Sequence, residues 1–120
     1  MARHNELGKW GEDVAAERLR QDGFTIVERN WHSGHYEIDI VAVKDNRMVF
    51  AEVKTRSDDS VDPLDAIDAK KIRRTIKAAD CYIRTYDIKH EPQFDVFAVI
   101  GHPGHFTVEH IKDAFFTTLE

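Results

Sequence analysis

Apolar residues recur at helical spacing near the start of the chain and then alternate as they do in β-strands. Residues 5–21 carry the helical pattern, with Gly23 as a stop signal, and residues 24–29 alternate as a strand. Residues 30–35 are mostly polar and include Gly34, which predicts a loop. The chain is therefore predicted to open with a helix, a strand and a loop.

The clearest pattern lies in residues 37–43 and 48–54, two alternating segments joined by a short polar turn. Together they predict a β-hairpin. If Asp45-Asn46 forms a two-residue loop, Lys44 pairs with Arg47, and the register of both strands follows by counting back.

This register places four ionisable side chains on one face of the hairpin. Asp39 falls opposite Glu52, and Glu37 falls opposite Lys54. The other face is apolar and suited to a core; it comprises Ile38, Ile40, Ala42, Val49, Ala51 and Val53. Because two carboxylates across a strand pair repel each other, we expect a compensating charge there, and a divalent cation is the obvious candidate.

The second half of the chain predicts a long helix and then a buried strand. An Asp-rich loop over residues 57–63 ends in Pro63, which suits the first turn of a helix over residues 64–86. The apolar stripe of this helix consists of Ala69, Ile72, Ile76, Ala79 and Ile83. Residues 94–100 are almost continuously apolar, which predicts a central strand buried on both faces.

A turn at residues 102–105, a short strand at 106–110 and a closing helix over 111–119 complete the predicted elements. Their order is α-β-β-β-α-β with a further edge strand. Because strand, helix and strand in succession make a right-handed crossover to a parallel neighbour, the sheet should be mixed and flanked by helices. The predicted fold class is α/β.

Composition narrows the class of protein. The chain has 120 residues, of which 42% are hydrophobic and 32% charged, as expected for one domain over residues 1–120. It contains no membrane-spanning run of ~18 apolar residues, and its first residues lack the apolar stretch of a signal peptide. The lone Cys81 excludes an internal disulfide and fits a reducing compartment. These features predict a cytoplasmic protein with no membrane partner.

Glu12 and Lys54 extend the charged cluster. Glu12 lies at the centre of the core-facing stripe of the first helix, where a carboxylate must be paired, hydrogen-bonded or metal-bound. A purely structural pairing of Glu12 with Lys or Arg is an equal alternative. Lys54 leaves the same strand face as Glu52, and its alternative role is an ion pair with Glu37.

The second helix carries a concentrated basic face although the net charge of the chain is -5. Between positions 69 and 84, Asp80 is the single acidic residue among the basic residues Lys70, Lys71, Arg73, Arg74, Lys77 and Arg84. A solvated helix side is the ordinary explanation for such a run. Because the run starts one loop after Lys54 and Arg56, it is also placed to contact phosphates at the edge of the same cleft.

The sequence evidence for other metal sites is weaker. The pairs His32 with His35 and His102 with His105 have no accompanying cysteine or third ligand at zinc spacing. The acidic loop at residues 58–62 lacks the glycine and terminal Glu of an EF-hand.

Asp39 followed thirteen residues later by Glu52-Val53-Lys54 resembles the PD-(D/E)XK nuclease superfamily. Within it, the chain resembles the YraN-type family of bacterial proteins, which is regarded as related to archaeal Holliday-junction resolvases. The matching segments are residues 8–12, 15–19, 23–24, Asn30, 37–39, 49–56 and 94–96. The resemblance implies a restriction-endonuclease-like core.

The resemblance also implies roles for the charged cluster. Asp39 and Glu52 would bind Mg2+ or Mn2+, Glu12 would complete or orient the acidic site, and Lys54 would position the attacking water and stabilise charge on the phosphate. Tyr36 departs from the family pattern, which usually has Gly before Glu-Ile-Asp. A bulky residue there bears on the shape of the substrate.

We therefore expect a metal-dependent endonuclease acting on DNA, including branched, Holliday-junction-like DNA, with Arg56 and the basic helix in DNA binding. An inactive DNA-binding or protein-interaction module that keeps the fold is the main alternative, and a structural adaptor is a third. A homodimer follows by analogy, since a four-way junction has two symmetric cleavage points.

Overall fold

The computed structural model describes residues 2–58 and 69–114. The helices and strands in these segments are α1 Ala2–Gln21, β1 Thr25–Ser33, β2 Tyr36–Lys44, β3 Arg47–Arg56, α2 Ala69–Tyr86, β4 Glu91–His102 and β5 His105–Ile111. Neither described helix is long and apolar enough to cross a membrane.

The five strands form one open mixed sheet in the order β1-β2-β3-β4-β5. β3 and β4 are parallel and joined through α2, whereas the other neighbouring pairs are antiparallel. The predicted crossover and mixed sheet are confirmed. This architecture is consistent with an α/β fold of the restriction-endonuclease-like type.

The hairpin between β2 and β3 has the predicted register from its turn to the pair Ile40–Ala51, whereas the predicted pairs Asp39–Glu52 and Glu37–Lys54 lie beyond the described ladder. Lys44 pairs with Arg47, and the described ladder continues to the pair Ile40–Ala51. Asp45 adopts the positive φ of 54° that a tight two-residue loop requires.

The end of α1 is set by its glycine, as predicted. Gly23 has φ +93°. Its N–H donates to the Arg20 carbonyl at 2.9 Å, and the Phe24 N–H donates to the Leu19 carbonyl at 2.9 Å. These paired bonds satisfy the last carbonyls of the helix and turn the chain into β1.

The two helices cover opposite faces of the sheet. One core packs Ala15, Ala16 and Leu19 of α1 against the β2 and β3 side chains Ile40, Ala42, Val49 and Ala51, and against Phe97 of β4. The other packs Ala78, Ala79 and Tyr82 of α2 against Val41, Met48, Phe50, Phe94 and Val96. β4 is buried on both faces from residue 94 to 99, as its apolar run predicted.

The predicted loop at residues 30–35 is wrong. β1 continues to Ser33, because Trp31 pairs with Ile38 and packs into the core on α2. The turn is confined to Gly34 and His35. Local polarity indicated a loop, but pairing with β2 and burial of the Trp31 ring favour a strand.

Ile38 is buried in a core as predicted, but the prediction that it shares a face with Ile40 is wrong. Ile38 packs on the α2 side, whereas Ile40 packs on the α1 side. The strand pair therefore changes face between Arg29–Ile40 and Trp31–Ile38. Asn30 lies between these pairs with φ 54°, a left-handed conformation that asparagine tolerates better than most residues.

Two further predictions differ from the structure. Ala69 is exposed, and the buried part of α2 centres on Ala78, Ala79 and Tyr82 instead. Ile111 ends β5, so the closing helix does not start there. The predicted start of the second helix at residues 64–68, most of the preceding loop, and residues 115–119 lie outside the described residues.

Candidate functional site

The change of face in β1 and β2 creates the position of Asp39. The described backbone ladder between β2 and β3 stops at Ile40–Ala51, one step before Asp39 and Glu52 would pair. The Val53 N–H instead donates to Asp39 Oδ2 at 2.8 Å. The Asp39 side chain thus occupies the point where the two strands separate.

The Asp39 carboxyl is in an environment that opposes its charge. Burial, together with the carboxylates of Glu12, Glu52 and Glu37, raises its pKa from 3.8 to about 6. The hydrogen bond from Val53 lowers the pKa and offsets only part of this. Asp39 therefore holds a charge near neutral pH that the surrounding protein compensates incompletely.

Glu52 lies between two lysines. Its Oε2 is 2.5 Å from Lys71 Nζ and 3.5 Å from Lys54 Nζ. Burial and the adjacent Lys71 ammonium lower the pKa of Lys54. Burial also disfavours the charge of Lys71, but its contacts with Glu52 and Lys54 raise its pKa overall. The two ammonium groups and one carboxylate form a compact, half-buried group.

These side chains line one cavity of about 280 Å³ on the α2 side of the sheet. Its charged lining consists of Glu37, Asp39, Glu52, Lys54, Lys71 and Arg74. The four hairpin residues predicted to share a face all line this cavity, but the exposed Glu37 carboxylate lies beside His32, and the predicted pairs Asp39–Glu52 and Glu37–Lys54 are not part of the described ladder. The ion pair proposed between Lys54 and Glu37 is absent among the described contacts, since Lys54 pairs with Glu52 and Glu37 lies 3.6 Å from His32 Nδ1.

Glu12 approaches the same region from α1, on the other side of the strands. Its Oε1 accepts a hydrogen bond from Asn30 Nδ2 at 2.9 Å and lies 3.8 Å from Arg29 Nη2. Glu12 is close enough to affect the Asp39 carboxyl electrostatically, but it is not among the residues lining the cavity. The structural pairing weighed as an alternative for Glu12 is thus present.

The position of Glu12 depends on close contact between α1 and β3. A Cβ atom at Gly11 would clash with the Thr55 side chain, whereas one at Gly8 would meet nothing within 4 Å. Gly11 therefore lets the helix approach the sheet directly beside Glu12.

The arrangement of the carboxylates bears on whether they could hold a metal ion. Within residues 6–58 and 69–114, no three His, Cys, Asp or Glu side chains are grouped so that they could hold a metal ion. Asp39 and Glu52 nevertheless offer hard oxygen donors, and Mg2+ is commonly held by one or two carboxylates together with substrate oxygens and water. The incompletely compensated Asp39 charge also fits a cation. The residues present thus fit a two-carboxylate site more closely than a three-carboxylate one.

Of the predicted phosphate-binding residues, five are exposed, namely Arg56, Lys70, Arg73, Arg74 and Lys77. In the part of the chain that the structure describes, no acidic side chain forms an ion pair with any of them. The sixth, Lys71, is half-buried against Glu52. Arg74 lines the charged cavity and therefore links it to the basic face.

A second buried carboxylate, Asp95, lies on the α1 side of β4. It is 2% exposed. It accepts hydrogen bonds from Gln93 Nε2 at 2.9 Å and the Asp113 N–H at 3.0 Å, and it contacts His110 Nε2 at 2.8 Å. The His110 ring also stacks on Phe97. These bonds fasten β5 and the segment after it to β4.

Sequence reasoning missed the roles of Lys71 and Asn30. Lys71 belongs to the predicted basic face of α2, yet Lys71 and Thr75, one helical turn apart, both line the cavity. That spacing was visible in the sequence. Asn30 donates a hydrogen bond to Glu12, and its left-handed backbone lies where β1 changes face. Its left-handed conformation had no local signal beyond the identity of the residue.

Comparison with known proteins places this chain in a family. Residues 11–99 match the model of the uncharacterised protein family UPF0102. The chain belongs to this family. The match spans the four hairpin residues of the cavity and all six predicted phosphate-binding residues.

Relatives match over nearly the whole chain. A UPF0102 protein of Bacteroides thetaiotaomicron is 48% identical over 120 residues, with 99% of each chain covered. One from Bacteroides fragilis is 50% identical over 120 residues, again with 99% of each covered. One from Flavobacterium psychrophilum is 44% identical over 117 residues, covering 97% of this chain and 98% of the relative. The resemblance to the YraN-type family is thereby confirmed.

Proposed function

We propose that this protein is a metal-dependent endonuclease that hydrolyses DNA phosphodiester bonds. One observation carries the proposal: Asp39, Glu52 and Lys54 line a single cavity, and Arg74 joins that cavity to an exposed basic face. Carboxylates that can hold a cation, beside ammonium groups that can meet a phosphate, are the components that phosphodiester hydrolysis requires.

In this proposal Asp39 and Glu52 hold Mg2+ or Mn2+. The cation would supply positive charge to the scissile phosphate and lower the pKa of a water molecule. The raised pKa of Asp39 supports this assignment, because a nearby cation would favour its ionised form. Glu12 acts indirectly, since its hydrogen bond to Asn30 stabilises the change of face that positions Asp39.

The lysines act on the phosphate directly. Lys54, half-buried and with a lowered pKa, lies where an ammonium can stabilise charge that develops on the phosphate. Lys71 neutralises Glu52 in the free protein and can contact the same phosphate. Arg56, Lys70, Arg73, Arg74 and Lys77 bind neighbouring phosphates and carry no chemistry.

We extend the proposal to branched DNA by analogy with the resolvases that the family resembles. A homodimer belongs to this extension, because two symmetric cuts need two sites. A cytoplasmic location is part of the same proposal and is supported by the free thiol of Cys81.

The second candidate is a DNA-binding module without activity. It is favoured by the Glu52–Lys71 ion pair, which occupies a carboxylate that a metal would need, and by the pairing of Glu12 with Asn30 and Arg29. A protein-interaction role remains the third candidate.

A cleavage assay on duplex, flap and four-way DNA with Mg2+ or Mn2+ separates these candidates. We expect cation-dependent cleavage that Asp39→Asn abolishes and Lys54→Ala slows by about a hundredfold or more. The matched control is Lys89→Ala, which removes an exposed lysine paired with Asp87 and should leave the rate unchanged.

Two results would overturn the endonuclease proposal. Salt-sensitive DNA binding without cleavage of any substrate by either cation would establish the binding module. Failure to bind DNA at low salt would leave the protein-interaction role.

A further inference from the structure

The turn of the β1–β2 hairpin brings two aromatic rings against the basic face of α2. His35 is exposed and Tyr36 is half-buried, and their ring centroids lie 4.5 Å apart. Together with α2 they border an open pocket of about 240 Å³, lined by His35, Tyr36, Lys70, Arg73, Arg74 and Lys77. Every lining residue is therefore aromatic or basic.

The change of face at Asn30 turns this end of the hairpin toward α2. Because the strands change face at Asn30, Ile38 and Trp31 turn toward α2, and Tyr36 packs against the core that they form. The Trp31 ring meets Tyr82 of α2 edge-on at 5.2 Å. The hairpin end is thus fastened to the helix that supplies the cations, so the rings and the charges keep a defined relation.

The pocket adjoins the charged cavity. Arg74 lines both. A nucleotide whose phosphate lies in the cavity near Lys54 would therefore place an adjacent nucleotide at His35 and Tyr36. Aromatic rings bind bases by stacking, and flanking Arg and Lys side chains bind the connecting phosphates.

We infer that the pocket between the β1–β2 turn and α2 is a subsite for an unpaired nucleobase beside the scissile phosphate. The base must be unpaired, because in a duplex both of its faces are covered by neighbouring base pairs. The inference rests on the proposed nuclease function and specifies its substrate as DNA with a single-stranded or splayed nucleotide. Tyr36 is the specificity-determining residue.

The experiment measures binding of the full chain, without divalent cation, to DNA with a single-stranded arm and to blunt duplex of equal length. The variants are His35→Ala, Tyr36→Leu and both together; leucine keeps apolar packing at position 36 while removing the ring. The control is His105→Ala with Phe106→Leu, which alters the corresponding residues at the β4–β5 turn on the opposite sheet edge. 2-Aminopurine in the arm reports stacking directly through quenching of its fluorescence.

We expect the double variant to bind the armed DNA about tenfold or more weakly, from the loss of one stacked base. The affinity of the double variant for blunt duplex should be unchanged. The control variant should bind both DNAs as tightly as the wild type. Quenching of 2-aminopurine should be lost in Tyr36→Leu and retained in Tyr36→Phe. If Tyr36→Leu does not fold, His35→Ala, an exposed substitution, should still weaken arm binding and quenching.

The subsite is overturned if the wild type and the double variant bind DNA with a single-stranded arm equally well. It is also overturned if quenching of 2-aminopurine persists in the double variant. Either result counts even if the protein cleaves DNA. Arm-specific binding and quenching in a protein that never cleaves overturns the nuclease proposal and retains the subsite. The two proposals therefore fail on different readouts.

Discussion

The Lys71 ammonium lies 2.5 Å from Glu52 Oε2, where it supplies a counter-charge to the Glu52 carboxylate. A cation bound by Glu52 would compete with this ion pair. If Asp39 and Glu52 hold a metal as proposed, Lys71 would lower the affinity of the free protein for it, in addition to any contact with a phosphate.

Lys71→Met should tighten Mn2+ binding to the DNA-free protein by about fivefold, because releasing a half-buried ion pair of about 1 kcal/mol frees Glu52. Isothermal titration calorimetry measures the change. Lys89→Met, which breaks an exposed ion pair with Asp87, is the control. Unchanged or weaker Mn2+ binding in Lys71→Met would mean that Glu52 is not a metal ligand.

Asp39→Asn and Glu52→Gln should each weaken Mn2+ binding at least tenfold, since each removes one of two charged oxygen ligands. Glu12→Gln should have a smaller effect, because its carboxylate is committed to Asn30 and Arg29. Glu17→Gln, at an exposed ion pair with Arg20, is the control for calorimetry. A Glu12→Gln effect as large as that of Asp39→Asn would instead restore the three-carboxylate site.

Asp39→Asn should also stabilise the metal-free protein as the pH rises. The folded-state pKa is raised to about 6 from 3.8, so the native state binds the proton more tightly than the unfolded chain. The wild type therefore loses stability as the pH rises from 3.8 to about 6. The Asp39→Asn variant does not, because its side chain is uncharged and still accepts the Val53 N–H.

Urea unfolding should show a gain of about 2 kcal/mol for Asp39→Asn near pH 8 that shrinks toward about pH 4. Asp87→Asn, at an exposed position, should show no comparable pH-dependent gain. A gain that grows on acidification has the opposite sign and would refute the assigned environment of Asp39.

Gly11→Ala should destabilise the protein by about 1–2 kcal/mol, because the added methyl group meets the Thr55 side chain and forces α1 away from β3. Gly8→Ala, one helical turn earlier and with nothing within 4 Å, should stabilise it by about 0.5–1 kcal/mol through helix propensity. Thermal or urea unfolding of the two variants compares them directly. Equal effects would indicate that α1 does not depend on close contact at Gly11.

Replacing Lys70 and Arg74 together by Ala should weaken duplex binding across sequences and flatten the plot of log affinity against log salt by about two units, since each phosphate contact contributes about -0.9. Lys54→Ala should retain most binding. Lys89→Ala combined with Lys112→Ala, which also removes two positive charges at exposed positions, is the charge-matched control. An unchanged salt slope in the double variant would show that this helix face is merely solvated.

Local sequence patterns determined much of this protein. The alternation in β2 and β3 and the Asp45-Asn46 turn were sufficient to predict the hairpin register from the turn to Ile40–Ala51 and to place Glu52 and Lys54 on one face of β3. Gly23 predicted the end of α1. These features follow from backbone geometry with a period of two in a strand and 3.6 in a helix, so neighbouring residues suffice to specify them.

Tertiary structure decided which partners those side chains meet. The bend at Asn30, the contact of Lys71 with Glu52 and the pairing of Glu12 with Asn30 all join residues from different elements. Tyr36 meets the basic face of α2 for the same reason. Such contacts depend on how the helices pack across the sheet, and the burial of side chains distant in sequence, such as Trp31 and Tyr82, sets that packing.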